Sequence, residues 1–120
     1  ETLIPRNVDA VFASDFNGLN SGIFMVRRCE WSLKFLDTLL FLGDINHDPD
    51  GMGMKWEQNT IKHVLKNFSG FAEHVALLPE RQMNSSVKSF EPGDFILHLG
   101  VMANGHRLRI LEEAKDWIVR

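Results

Sequence analysis

Residues 17–28 read Asn-Gly-Leu-Asn-Ser-Gly-Ile-Phe-Met-Val-Arg-Arg, and this stretch decides the predicted fold. The polar first half, with its two glycines, predicts a turn. The apolar second half predicts a short buried strand at residues 23–26. Polar groups such as Asn20 and Ser21, at the mouth of a buried strand, are where α/β proteins commonly bind ligands. Turn chemistry alone favours the simpler alternative, which is a plain connecting loop.

Composition and charge are those of an ordinary globular domain. The 120 residues are 44% hydrophobic and 24% charged, enough for one small domain with one core. The formal net charge is -3 and there is no basic run, so we expect no nucleic-acid partner. The apolar runs are too short to cross a bilayer. Because the sequence starts at Glu1, with no initiator Met, we expect it to be part of a longer protein.

Alternating strand and helix patterns predict an α/β fold in which a mixed sheet is flanked by helices. The strands are expected near 8–12, 23–26, 75–78 and 95–97, and the helices near 30–42, 56–67 and 107–120. A polar, glycine-rich segment at 44–54 resembles a calcium-binding loop. However, Pro49 replaces the sharp-turn glycine of such a loop and Lys55 replaces its closing glutamate. We therefore expect either a flap over a site or a plain connection.

Three polar clusters carry side chains suited to chemistry. They are Asp15 with Asn17, Asn20 and Ser21; Glu57 with Gln58; and His98. His98 follows an apolar strand, where an imidazole binds a metal or a diphosphate or, more commonly, satisfies a buried hydrogen bond. Glu57 lies in the first turn of a predicted helix, so favourable interaction with the helix dipole is the simpler explanation for it.

Four sequence blocks occur in order along the chain. They are residues 17–28 with Trp31-Ser32 and Phe35-Leu36-Asp37; Trp56-Glu57-Gln58; Met83-Asn84-Ser85; and Gly93-Asp94-Phe95-Ile96-Leu97-His98. Their order and approximate spacing resemble glycosyltransferase family 34. That family includes fungal α-galactosyltransferases, mannan polymerase subunits and plant xyloglucan xylosyltransferases. An unrelated small α/β binding domain would have to match all four blocks by coincidence.

The resemblance implies a GT-A nucleotide-diphospho-sugar transferase fold. Residues 1–120 would form a single domain or, as their length favours, the C-terminal portion of the catalytic domain. The implied activity is that of a retaining glycosyltransferase, which moves a hexose or pentose from a UDP- or GDP-linked sugar to a glycan or glycoprotein acceptor. The product carries an α-linkage, and the implied cofactor is a divalent metal, usually Mn2+.

The resemblance also assigns roles to individual residues. The substrate-binding residues would be Asp15, Asn17, Asn20, Ser21 and Gly22. Asn20 would bind donor-sugar hydroxyls, and Gly22 would let the backbone approach the donor. Gln58, beside Glu57, would place its carbonyl oxygen against the anomeric carbon, where the amide dipole stabilises positive charge. His98 would bind the metal that neutralises the leaving diphosphate.

The sequence departs from the family pattern at several positions. No Asp-x-Asp metal motif precedes Asn17, Val101 stands where the family has glycine, and Ala103 replaces a basic residue. His106 or Arg107 would have to contact the diphosphate instead. These departures favour an alternative function, a non-catalytic scaffold subunit in a hetero-oligomer with other glycosyltransferases. For a eukaryotic protein the resemblance implies the Golgi lumen, as part of a single-pass membrane protein, and otherwise the cytoplasm.

Overall fold

The described part of the chain alternates strands with helices. The computed structural model describes residues 5–45, 57–100 and 104–118. The strands are β1 (Ala10–Asp15), β2 (Gly18–Val26), β3 (Val75–Pro79), β4 (Ser85–Ser86) and β5 (Leu97–His98). The helices are α1 (Glu30–Ile45), α2 (Glu57–Asn67), α3 (Glu80–Met83) and α4 (Asn104–Ile118), and a 3-10 turn spans Ala72–His74. The predicted α/β class, a mixed sheet with helices, is confirmed.

Strand β1 is the centre of a three-stranded mixed sheet of order β2-β1-β3. It pairs antiparallel with β2 through a hairpin, and parallel with β3 after a connection through α1 and α2. Because it has a neighbour on each side, it carries the most buried run of the sheet. Its residues from Ala10 to Ala13 are each at most 3% exposed. A two-stranded parallel ladder joins β4 to β5.

Helices α1 and α2 cover one face of this sheet. Phe35 of α1 is fully buried against Phe12 of β1, with ring centroids 6.5 Å apart in an edge-to-face arrangement. Ile61 and Val64 of α2 complete the same core cluster. Side chains alternate across a strand, so the other face of β1 packs against a different element, Met83 of α3.

Strand β2 differs from its prediction in extent and in burial. It begins at Gly18, so most of the segment predicted as a turn is strand, and only residues 16–17 form the hairpin turn. Its end was predicted to be buried, yet Phe24, Met25 and Val26 are 39%, 45% and 38% exposed. The prediction was wrong because β2 lies at the edge of the described sheet, with β1 on one side only.

Other element boundaries also differ from the prediction. Strand β1 continues to Asp15 rather than ending at residue 12, and α1 continues through Gly43 to Ile45. Of the predicted buried strand at 95–97, only Leu97 belongs to β5, although the Ile96 carbonyl also accepts the Ser85 N–H, and Phe95 is exposed. Strand β5 begins only at Leu97, after a turn at Pro92-Gly93. Phe95 therefore lies in the connecting segment rather than in the strand.

Helix α4 begins at Asn104 rather than at residue 107. Ala114 is buried, whereas Leu108 and Leu111 of the same helix are exposed. The segment at 44–54, predicted to be a flap or a plain connection, falls mostly outside the described residues.

We expect Phe35→Ala to destabilise the fold by about 3–5 kcal/mol, because it removes a fully buried ring and leaves a cavity. Leu40→Ala, at an exposed position of the same helix, is the control and should change stability by less than about 0.5 kcal/mol. Urea denaturation of both variants measures the difference. If Leu40→Ala lost as much stability as Phe35→Ala, the burial of Phe35 against β1 would be contradicted.

Candidate active site

An irregularity in the β1–β2 pairing creates the candidate site. Ala13 pairs with Asn20 and the adjacent Phe12 pairs with Phe24, so residues 21–23 have no partner in β1. Such a bulge kinks a strand and re-aims its side chains. Here it directs the polar residues of β2 toward the first turn of α2 and toward the β4–β5 ladder.

Ser21, at the start of the bulge, connects β2 to α2 through hydrogen bonds. Its backbone N–H donates to Gln58 Oε1 at 3.0 Å, and its hydroxyl lies 2.9 Å from Glu57 Oε1 and 3.4 Å from Gln58 Oε1. A hydroxyl has one proton, and the shorter, charge-assisted bond to Glu57 is the stronger one. Within the described part of the chain, Gln58 Oε1 therefore keeps one acceptor position for another group. Glu57 has a specific partner here, beyond any interaction with the helix dipole.

Asn20 is held from both sides in one orientation. Its Nδ2 donates to Asp15 Oδ2 at 2.7 Å, while its Oδ1 accepts the Gly22 backbone N–H at 2.8 Å and Asn84 Nδ2 at 3.0 Å. A carboxylate only accepts and a backbone N–H only donates, so the two ends of this amide cannot be exchanged. Both acceptor positions of Oδ1 are used, and among the described residues one N–H of Nδ2 has no partner and is available to a ligand.

Asn84 links Asn20 to the predicted metal ligand. Its Nδ2 also lies 3.1 Å from Nδ1 of His98, and the side chain is 3% exposed. Sequence reasoning quoted Asn84 within a motif but did not name it as a site residue. The sequence feature that could have identified Asn84 is its position next to Met83, whose side chain packs in the core.

Gly22 lies where these side chains converge. A Cβ at this position would be 2.9 Å from Asn20 Oδ1, 2.9 Å from His98 Cε1 and 3.0 Å from Asn84 Nδ2. Real Cβ atoms do not approach other atoms so closely, so only glycine fits without displacing the others. Gly22 is itself exposed, so the cluster is open to solvent at this point.

A second network holds the β4–β5 ladder in place. The Asp94 carboxylate accepts from the Ser85 hydroxyl at 2.8 Å, from the Glu91 N–H at 3.0 Å and from Arg81 Nη2 at 3.1 Å. Hydrogen bonding from Arg81 and from the Glu91 backbone lowers the pKa of Asp94 to about 2. Ser85 follows Asn84 and pairs with Leu97, next to His98, so this network positions both site residues. Sequence reasoning missed Asp94 and Arg81.

The structure brings together seven of the eight predicted site residues. They are Asp15, Asn20, Ser21, Gly22, Glu57, Gln58 and His98. The Asn17 side chain does not join them: this residue lies in the hairpin turn, where its backbone N–H donates to Asp15 and its carbonyl accepts from Lys62 Nζ at 3.3 Å. Its side chain is exposed, and its contacts are those of a turn residue.

Among the described residues, His98 is the side chain that the family resemblance implies for the metal. No group of three or more His, Cys, Asp or Glu side chains able to hold an ion occurs among them. His98 therefore fits as a single imidazole ligand. Arg107 Nη2 donates to the Gly100 carbonyl at 2.7 Å, which places this guanidinium beside the segment that follows His98. His106 is exposed, and Val101 and Ala103 lie outside the described residues.

Comparison with known proteins identifies relatives. Residues 3–104 match the model of the galactosyl transferase GMA12/MNN10 family. A probable alpha-1,2-galactosyltransferase, gmh1 of Schizosaccharomyces pombe, is 26% identical over 123 residues, which cover 95% of this chain and 35% of the relative. An uncharacterized alpha-1,2-galactosyltransferase of the same yeast is 28% identical over 102 residues, 78% of this chain and 25% of the relative.

A plant protein also matches. Galactomannan galactosyltransferase 1 of Cyamopsis tetragonoloba is 32% identical over 50 residues, 42% of this chain and 12% of the relative. The chain thus spans about a third or less of the length of these relatives. No solved structure matches the chain significantly.

We expect Gly22→Ala to destabilise the protein by about 1–3 kcal/mol, because the new methyl group must displace three packed polar groups. Gly43→Ala is the matched control: a Cβ there meets nothing within 4 Å, and alanine in a helix interior should stabilise by about 0.5–1 kcal/mol. Urea denaturation measures the free energy of unfolding of both variants and distinguishes a loss from a gain. A Gly22→Ala variant as stable as Gly43→Ala would contradict the close approach of the three side chains.

We expect Asp94→Asn to lower the denaturation midpoint at pH 6, because Arg81 and Ser85 lose a charged acceptor. The folded pKa is lowered to about 2, so the stabilisation is fully present above the unfolded pKa of about 4. The stabilisation is lost as the pH falls from about 4 through 2. In that range the difference in denaturation midpoint between Asp94→Asn and the wild type should shrink. Asp37→Asn, an exposed position on α1, is the control and should show no such trend.

Proposed function

Because the chain belongs to the galactosyl transferase GMA12/MNN10 family, we propose that it forms part of the catalytic domain of a retaining glycosyltransferase. The domain would have the GT-A fold and transfer a hexose or pentose from a UDP- or GDP-linked sugar to a glycan or glycoprotein acceptor, with an α-linkage as product. The observation that supports this most is the convergence of Asn20, Gln58 and His98 around one bulge. The relatives' printed names make galactose the first sugar to test.

The remaining hydrogen-bonding capacity of the site suits a donor sugar. Asn20 keeps one N–H, which can donate to a sugar oxygen, and its rigid attachment to Asp15 means that little side-chain entropy is lost on binding. Gln58 keeps one acceptor position on Oε1, held in place by the Ser21 N–H. A preorganised carbonyl dipole of this kind stabilises positive charge that develops on an anomeric carbon.

We propose Mn2+ as the cofactor, with His98 as the ligand that this part of the chain supplies. Imidazole is an acceptable ligand for such a cation beside carboxylates. When bound, the ion would neutralise the negative charge of the leaving diphosphate. Because no group of three or more ligating side chains occurs among the described residues, further ligands would come from elsewhere in the protein.

For a eukaryotic protein we propose a location in the Golgi lumen, within a single-pass membrane protein, and otherwise in the cytoplasm. Among the described residues, no helix is long and apolar enough to span a membrane. Two Asn-x-Ser sequons occur, at Asn67 and Asn84. Asn67 is exposed on α2, whereas Asn84 is buried in the candidate site, so a glycan fits the folded structure at Asn67.

The decisive experiment is a Mn2+-dependent transfer and hydrolysis assay with a panel of UDP- and GDP-sugars, beginning with UDP-galactose. It uses the full-length protein that contains this chain. We expect turnover with one donor, and Gln58→Ala should lower kcat about 10²-fold or more, as removal of a preorganised dipole does. Gln82→Ala, the same change at an exposed position of α3, should retain wild-type turnover.

Loss of activity in both glutamine variants would contradict the role of Gln58. A folded full-length protein that turns over no donor would overturn the enzymatic proposal. It would favour the alternative, a scaffold subunit in a hetero-oligomer with other glycosyltransferases.

A further inference from the structure

The tip of the β1–β2 hairpin carries an aromatic side chain at a position where turns usually have small or polar residues. Phe16 is 94% exposed and lies in the two-residue turn between Asp15 and Gly18, which pair across the hairpin. Small and polar residues are favoured in turns because they adopt the required backbone conformations and hydrogen-bond to the backbone. A phenyl ring does neither, and a single exposed apolar side chain is common on protein surfaces. What this ring can bind therefore depends on the groups beside it.

Hydrogen bonds on both sides of Phe16 hold the turn in one conformation. The Asp15 carboxylate accepts the Asn17 backbone N–H at 2.7 Å, and the Asn17 carbonyl accepts from Lys62 Nζ of α2 at 3.3 Å. Gly18 completes the turn with a φ of 86°, a left-handed conformation that suits glycine. Because the backbone that carries the ring is already ordered, a ligand that covers the ring loses little binding energy to ordering it.

The residue before Phe16 belongs to a polar pair with unused hydrogen-bonding positions. Asp15 Oδ2 accepts from Asn20 Nδ2 at 2.7 Å, so an acceptor and a donor lie side by side. Within the described part of the chain, one N–H of Asn20 Nδ2 has no partner, and each Asp15 oxygen accepts a single hydrogen bond. A hydroxyl group both donates and accepts, so neighbouring hydroxyls of a sugar can donate to Asp15 and accept from Asn20.

A pyranose ring has both kinds of surface that this arrangement can bind. Its hydroxyl groups lie around the rim, whereas carbon-bound hydrogens form an apolar patch on one face. In galactose the axial hydroxyl at C4 points away from one face and leaves the hydrogens at C3, C4 and C5 together there. Such a patch packs well on an aromatic ring, because the face of the ring is electron-rich and attracts weakly positive C–H groups.

The position of the hairpin within the site also favours a sugar. Hydrogen bonds run from His98 through Asn84 and Asn20 to the hairpin. The hairpin therefore lies at the opposite end of this network from the proposed metal ligand. A ligand whose diphosphate lies near His98 would extend its sugar, rather than its phosphates, toward Phe16.

We propose that Phe16 is a sugar-binding residue, which packs on the apolar face of a pyranose whose hydroxyls bind Asp15 and Asn20. Because the ligand is a sugar, this inference rests on the proposed function. It adds to that function an aromatic contact that determines how tightly the pyranose is bound. The galactose of a nucleotide-sugar donor and a galactose of the acceptor present the same chemistry to the ring, and the experiment distinguishes the two sources.

The test is an NMR titration of the full-length protein that contains this chain, with two probes. UDP-galactose with Mn2+ represents the donor, and methyl α-D-galactopyranoside in the presence of UDP represents the acceptor. The magnetic field of a stacked aromatic ring moves the sugar's carbon-bound protons upfield. We expect upfield shifts at the C3, C4 and C5 protons of one probe, which identifies the source.

Phe16→Ala should remove these shifts and weaken binding of that probe about 10-fold, because the ring no longer covers apolar sugar surface. Phe16→Trp keeps an aromatic face and should restore both the shifts and the affinity. Phe41→Ala, the same change at an exposed position of α1, is the matched control and should leave binding unchanged.

Absence of upfield shifts with both probes in the wild-type protein would overturn the inference, whether or not Phe16→Ala folds. Equal affinity of folded Phe16→Ala and wild type for the shifted probe would also overturn it. Neither measurement needs turnover, so a protein without transferase activity would still show whether Phe16 binds a sugar. Conversely, a wild-type enzyme that transfers galactose without these shifts would keep the proposed function and lose only the role of Phe16.

Discussion

The break in register between β1 and β2 is the constraint on which the candidate site depends. On one side of it, Ala13 faces Asn20, and on the other, Phe12 faces Phe24. A regular ladder would use the N–H groups of residues 21 and 22 for strand pairing or leave them at the sheet edge. The bulge frees them instead, so that one binds Gln58 and the other binds Asn20. Without it, the first turn of α2 and the β4–β5 ladder would have no common point of attachment on the sheet.

Carboxylates determine how the neutral polar groups of the site are oriented. Asp15 fixes the orientation of the Asn20 amide, the Glu57 carboxylate accepts a hydrogen bond from the Ser21 hydroxyl, and Asp94 holds the segment that carries His98. Hydrogen bonds to charged groups are shorter and stronger than those between neutral partners. The charged contacts therefore decide the arrangement, and the amides follow. A network fixed in this way is preorganised, which is what a site acting through dipoles rather than a nucleophile requires.

Burial in this molecule follows the number of neighbours rather than local hydrophobicity. Phe24, Met25 and Val26 at the end of β2 are all apolar, yet they are exposed because the described sheet offers this strand a single neighbour. Strand β1, of similar composition, has a neighbour on each side and helices on its faces, and it is buried. Periodicity can predict that a segment is a strand, but which strand is central depends on pairing between distant segments.

The sequence by itself determined the α/β class, the positions of the main helices and the family to which the motifs belong. These properties follow from local periodicity and from residue types at short spacing. Only the tertiary structure decided the bulge, the exposure of β2, the separation of Asn17 from the site and the part played by Asn84 and Asp94. The decisive contacts join residues 37 positions apart, as for Ser21 and Gln58, or 64 apart, as for Asn20 and Asn84. Contacts at such separations depend on how the whole sheet and its helices pack, which no local pattern encodes.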